Sequence, residues 1–240
     1  MPKIKTPALI INFKNYLEAA GEGALRLAKV AEEVAIETGA SIVVCPPLPY
    51  LSQVCASVKI PVFAQHADPD KAGSSTGAIV AEVIKAAGAV GSILNHSERR
   101  LDTDRIASTV RRLREVGLVS VVCAKEPSEV SLYAEFSPDY IAIEPPELIG
   151  SGVAVSRAKP EVITESVKAA AKNPEVGIIC GAGIVDGKDV EAALRLGVCG
   201  VLVASGIVKA SDWRSKILEM SKAMAKFRGS LVQPTFRALA

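Results

Sequence analysis

Short runs of β-branched and other apolar residues recur along the chain, and each is followed by a stretch with helical spacing. The runs are Ala8–Asn12, Ser41–Cys45, Pro61–Gln65, Gly91–Asn95, Leu118–Cys123, Tyr140–Glu144, Val176–Gly181 and Cys199–Ala204. They are nearly continuous in apolar residues, which is the pattern of strands covered on both faces. Gly and Pro punctuate them. Ile106, Val110, Leu113 and Val116 fall on one helical face, and so do Trp213, Ile217, Met220, Met224 and Phe227. Both stripes read as core packing. The stretch between Gln65 and Gly91 predicts a longer loop and then a helix near Ala78–Ala87. Asp102 reads as a helix N-cap after the fourth strand.

The pattern amounts to eight strand–helix units with a mean repeat of about 27 residues. No linker or low-complexity segment divides residues 1–240. The expected fold class is therefore α/β, a single (β/α)8 barrel of eight parallel strands. A doubly wound open sheet is the rival. Its phosphate fingerprint, G-x-G-x-x-G after the first strand, is missing, and Gly181-Ala182-Gly183 comes late and lacks the third glycine.

Composition narrows the picture. Hydrophobic residues make up 49% of the chain and aromatics only 4%, so the core stock is Ala, Val, Ile and Leu, suited to helices packed on a buried sheet. Lys and Arg number 28 against 26 Asp and Glu, a net charge of +2. That balance argues against an extended nucleic-acid surface but leaves room for a local phosphate pocket. No apolar run approaches the length of a membrane span, and the N-terminus does not read as a secretory signal. The five cysteines form no C-x-x-C pair. They read as buried reduced thiols of a cytoplasmic protein, with neither a metal site nor a disulfide framework.

Active sites of such barrels lie at the C-terminal ends of the strands. The polar groups found where apolar runs stop are Asn12 and Lys14, then Asn95-His96-Ser97-Glu98, then Glu144, then Gly181-Ala182-Gly183 and Ala204-Ser205-Gly206. Glu144 is followed by Pro145-Pro146, which keeps it from running into a helix. It is either a strand-end charge bonded to a neighbouring cation or a carboxylate in a dry pocket, serving as a base near neutral pH. His96 is one of two histidines and lies near the expected start of the next helix, where a neutral imidazole is favoured. His66 reads as solvated or structural. Lys14 is either solvent-facing or placed at the barrel mouth to stabilise an oxyanion or attract phosphate. Pro145–Gly152, with apolar Leu148-Ile149 between a stiff and a loose end, has the make-up of a lid. Gly183, Ala204 and Ser205 fall where barrels of this kind bind phosphate.

Together these residues resemble the triosephosphate isomerase family over essentially the whole chain. Asn12-Phe13-Lys14 is similar to its first-strand Asn-x-Lys, and Asn95-His96-Ser97-Glu98-Arg99-Arg100 resembles its His-Ser-Glu-Arg-Arg motif. Ala142–Gly152 resembles its Glu-Pro lid, and Gly73-Ser74-Ser75-Thr76-Gly77 the loop that reaches into a neighbouring subunit. The short chain and the Glu-Pro-Pro-Glu-Leu-Ile-Gly lid look most like the archaeal branch. The resemblance implies a cofactor-free, metal-free isomerase of triose phosphates, active in glycolysis and gluconeogenesis. Its best-known features, a glutamate base, a neutral histidine and a closing loop, are carried over with it. Glu144 is then the base, His96 the electrophile and Lys14 the source of positive charge. Asn12 positions substrate, Glu98 supports the site from beneath, and Gly150, Gly183, Ala204 and Ser205 grip the phosphate. Three departures stand out. Glu147 replaces a common hinge Trp, Cys180-Gly181-Ala182-Gly183 replaces the usual Tyr-Gly-Gly-Ser, and Ala204-Ser205 replaces two glycines.

Two other functions fit a phosphate-binding barrel. An aldolase or lyase would need a strand-embedded Schiff-base lysine, and none of the eight runs holds one. A non-catalytic sugar-phosphate binder is weighed against by Lys14, His96, Glu144 and the full-length lid occurring together. The long Thr76 loop and the resemblance predict a homo-oligomer, a tetramer over a dimer. Sedimentation equilibrium at micromolar concentration should give a mass well above the 25.1 kDa of one chain; an active monomer would overturn this expectation.

Overall fold

The computed structural model describes residues 4–148 and 154–228. Its strands are β1 (Ala8–Asn12), β2 (Ser41–Cys45), β3 (Phe63–Ala64), β4 (Gly91–Leu94), β5 (Val119–Ala124), β6 (Tyr140–Ile143), β7 (Gly177–Cys180) and β8 (Gly200–Val203). The helices are α1 (Glu22–Thr38), α2 (Leu51–Ser57), α3 (Ala81–Ala86), α4 (Thr103–Val116), α5 (Pro127–Ala134), α6 (Val155–Ala158), α7 (Pro160–Ala170), α8 (Gly187–Arg195), α9 (Ser205–Val208) and α10 (Trp213–Ala225).

The strands form one parallel sheet in the order β2-β1-β8-β7-β6-β5-β4-β3. Its two ends meet at a single parallel bridge, Val44 to Val62, where the Val44 N–H donates to the Pro61 carbonyl at 3.1 Å. The result is a nearly closed eight-stranded barrel with alternating helices, as the sequence predicts. The β2–β3 seam is its thinnest part. Pro61 has no N–H to donate, which shortens β3 from the expected Pro61–Gln65 to two residues.

Two-sided burial explains the apolar runs. Successive strand side chains point to opposite faces. In β1, Leu9 and Ile11 join the layer under the helices, while Ala8 and Ile10 fill the barrel. In β6, Ile141 and Ile143 face the helices, while Tyr140 and Ala142 face inward. The same phase places Asn12 and Glu144 at the inner, C-terminal end of the barrel.

The helical stripes pack as predicted. Ile106, Val110 and Leu113 of α4 are buried, and so are Ile217, Met220 and Met224 of α10. Asp102 caps α4 by accepting the Arg105 N–H at 2.8 Å. The expected Ala78–Ala87 helix shortens to α3, because Ile79 and Val80 pair with Asp68 instead: the Asp68 N–H donates to the Ile79 carbonyl at 2.8 Å and Val80 bridges Asp68. Among the described residues no helix is long and apolar enough to cross a membrane.

Strand spacing at the β1–β8 seam depends on Gly200, where a Cβ would stand 2.5 Å from the Ala8 carbonyl oxygen. Gly200→Ala should therefore cost about 1–3 kcal/mol through overpacking. Thermal unfolding should show a fall in midpoint of roughly 2–4 °C per kcal/mol. An unchanged midpoint would mean the seam has slack.

Candidate active site

The C-terminal end of the barrel gathers most of the residues that the sequence singles out. One pocket is lined by Lys14, His96, Glu144, Gly183, Ala204 and Ser205, with Tyr16 and Gly206. Asn12 lines an adjoining opening shared with Lys14, His96 and Glu98. Pro145–Gly152 is described only as far as Leu148, and Gly150 lies outside the described residues.

Glu144 is 3% exposed, and its Oε2 has no hydrogen-bond partner. Burial pushes its carboxyl above the usual glutamate range; His96, a hydrogen bond with Cys123 and the charge of Lys14 offset part of the shift. Space for the carboxylate comes from the neighbouring strand. A Cβ at Gly181 would stand 2.5 Å from Glu144 Cγ and 2.7 Å from Oε1, so only glycine leaves this slot open.

His96 Nε2 lies 3.8 Å from Glu144 Oε2, beyond hydrogen-bond range. The other ring nitrogen, Nδ1, accepts the backbone N–H of Glu98 at 3.2 Å. Nδ1 is thus occupied as an acceptor, and Nε2 is the ring nitrogen left to face Glu144. His96 does not lie at the start of a helix, against expectation. α4 begins at Thr103, and His96 sits in a turn closed by Arg99 N–H donating to the His96 carbonyl at 2.8 Å. Asn95 shapes that turn: it has a left-handed backbone (φ 58°), its Nδ2 donates to the Cys123 carbonyl and its Oδ1 accepts the Leu101 N–H, both at 2.9 Å.

Lys14 also has a left-handed backbone, at φ 48°. The Asn12 carboxamide oxygen accepts its N–H at 2.9 Å, and Gln65 Nε2 donates to its carbonyl at 2.9 Å. The strained conformation is thus fixed from two sides. Lys14 Nζ pairs with Glu98 Oε1 at 2.7 Å. The Glu98 side chain is 59% exposed, so it flanks Lys14 on the solvent side and does not lie beneath the site. His66 is buried and contacts Asp68 Oδ1 at 3.2 Å, which makes it structural.

On the opposite wall, Ala204 precedes α9 without a side-chain cap, and Ala204, Ser205 and Gly206 line the pocket. The loops after β7 and β8 touch closely: a Cβ at Gly206 would stand 2.6 Å from the Ile184 carbonyl oxygen. Among the described residues no cluster of three or more His, Cys, Asp or Glu side chains could hold a metal. Gln65, the Glu144 slot at Gly181 and the Cys123 thiol were not assigned site roles from sequence. For Gly181 and Cys123 the available signal was strand phase, which places both on the barrel interior beside β6.

A sequence profile of the triosephosphate isomerase family matches residues 7–223. The triosephosphate isomerase of Caldivirga maquilingensis is 52% identical over 222 residues, covering 92% of this chain and 99% of that protein. Those of Methanosarcina barkeri and Methanothermobacter thermautotrophicus are 47% and 49% identical, covering 89% and 90% of this chain and 97% and 94% of those proteins.

The raised Glu144 carboxyl has a consequence for stability. A native state that holds the proton more tightly than the unfolded state loses stability as pH rises from the ordinary glutamate range through the raised value. Glu144→Gln should therefore unfold at higher urea than the parent at pH 8, and the difference should vanish near pH 4. A parent-favouring difference at pH 8 would contradict the dry setting of Glu144.

Proposed function

Since the chain belongs to the triosephosphate isomerase family and is an isomerase, we propose that it interconverts dihydroxyacetone phosphate and D-glyceraldehyde 3-phosphate through an enediolate, with no metal or organic cofactor. The observation that carries this reading is the buried, unpartnered Glu144 Oε2 beside His96 Nε2, the ring nitrogen left free by the Glu98 N–H bond to Nδ1. Two groups 3.8 Å apart can both reach adjacent atoms of one short planar molecule seated alongside them.

Glu144 takes a proton from C1 of the ketone while His96 Nε2 donates a hydrogen bond to the C2 carbonyl oxygen. The electron pair of the broken C–H bond forms the C1–C2 double bond, and the carbonyl pair moves onto oxygen as an enediolate. Lys14 stabilises that charge. The hydroxyl proton then transfers between the two oxygens, and the proton held on Glu144 returns to C2 to give the aldehyde. The proton count balances and Glu144 ends as it began. Asn12 keeps Lys14 in its strained turn and so positions the cation. Gly183, Ala204 and Ser205, with Gly150, take the phosphate, and the uncapped start of α9 supports that role. Pro145–Gly152 acts as the lid, its first hinge tied by the Glu147–Lys159 ion pair. The exposed Gly73–Gly77 loop supports assembly into a homo-oligomer, a tetramer over a dimer.

A coupled assay of triose phosphate interconversion tests the reading. Glu144→Gln should lower turnover by roughly 10³-fold or more, and His96→Gln by roughly 10²-fold or more, with folding retained in both. Ordinary turnover in Glu144→Gln would refute the base assignment.

A further inference from the structure

We propose that Asp189 is a positioning residue for this reaction: with Arg157, its buried carboxylate fixes the loop after β7 that carries Gly183. The proposal rests on the isomerase reading above and deepens its phosphate site.

Asp189 is fully buried at the third position of α8. Its Oδ2 accepts the N–H groups of Val185 at 2.9 Å and Asp186 at 3.3 Å, and its own N–H donates to Asp186 Oδ1 at 2.9 Å. A capping box requires only the reciprocal bonds with Asp186. The bond to Val185 goes further, because Val185 lines the catalytic pocket two residues after Gly183. On the other side, Oδ1 lies 2.7 Å from Arg157 Nη2, an ion pair without an aligned hydrogen bond.

Arg157 belongs to α6, which makes one further contact to the loop and one to α8. The Val155 N–H donates to the Ala182 carbonyl at 3.3 Å, and Ser156 Oγ donates to the Asp189 carbonyl at 3.4 Å. The Ala182–Asp186 loop is thereby held at its first carbonyl and at its last two N–H groups, with Gly183 (φ 71°) between. This chain has no hydroxyl at Cys180, Ala182 or Gly183 to brace the loop from within. The carboxylate of Asp189 braces it from beneath, and the cation of Arg157 makes a fully buried carboxylate tenable.

The variants for the test are Arg157→Met, Arg157→Lys and Asp189→Asn. Arg157→Lys keeps a cation beside Asp189 and should fold like the parent, whereas Arg157→Met leaves Asp189 with only the Val185 and Asp186 N–H bonds and should fold with a lowered thermal midpoint. Measured quantities are kcat and KM for dihydroxyacetone phosphate, binding of inorganic phosphate and of 2-phosphoglycolate, and the thermal midpoint. Arg157→Met should raise KM about tenfold with kcat within about threefold. It should weaken both anions by a similar factor, because only phosphate binding is lost, and Arg157→Lys should restore most of the loss. A lowered thermal midpoint with KM and anion binding unchanged would reduce Asp189 to a helix cap and overturn the proposal. A parent protein that fails to interconvert triose phosphates would sink the isomerase reading instead. Anion binding would then decide the proposal alone: weaker phosphate binding by Arg157→Met supports it and equal binding overturns it.

Discussion

A carboxylate kept dry at the inner end of β6 is the constraint around which the rest of the site is arranged. An isolated charge in such a place costs several kcal/mol unless it is compensated, and Glu144 is compensated only in part. Its Oε2 is buried without a hydrogen-bond partner, and the groups beside the carboxyl are a weak thiol and an imidazole too distant to bond. Stability that a fully bonded carboxylate would have contributed is held back as basicity. Gly181 is the structural condition for this arrangement, because any side chain there would occupy the volume of the carboxylate.

The groups around Glu144 are held by backbone bonds and buried amides, so they need little rearrangement when charge develops on a substrate. The His96 ring is oriented by one backbone N–H, that of Glu98, and α4 begins only at Thr103. Lys14 and Asn95 both occupy left-handed backbone, which costs non-glycine residues about 1–2 kcal/mol each; Lys14 is pinned by the Asn12 and Gln65 carboxamides, and Asn95 by its own carboxamide bonded to the Cys123 carbonyl and the Leu101 N–H. Strain concentrated at the barrel mouth, on a scaffold buried on both faces, is the usual partition between a stable frame and a reactive rim.

The opposite wall follows the same logic with backbone groups in place of side chains. The short α9 turn lacks a side-chain cap, and the loops after β7 and β8 approach so closely at Gly206 and Ile184 that neither can move freely past the other. α6 and α8 brace the first of these loops from below. Glu144 and His96 on one side and the pocket-lining Ala204–Gly206 segment on the other are therefore set by separate elements of the barrel, joined through its strands.

The sequence by itself determined the eight-unit barrel, because parallel strands buried on both faces need continuous apolar runs and those runs can be read one residue at a time. It also determined that Asn12 and Glu144 end their strands on the inner face, since strand phase has period two. Boundaries failed where long-range pairing intervened: Pro61 thinned β3, and Asp68 drew Ile79 and Val80 out of a helix. Only the tertiary structure decided which His96 nitrogen faces Glu144, the exposed place of Glu98, the slot at Gly181 and the reach of Asp189 to Arg157. Each depends on atoms brought within a few ångströms by different segments of the fold, and no local spacing along the chain encodes such a distance.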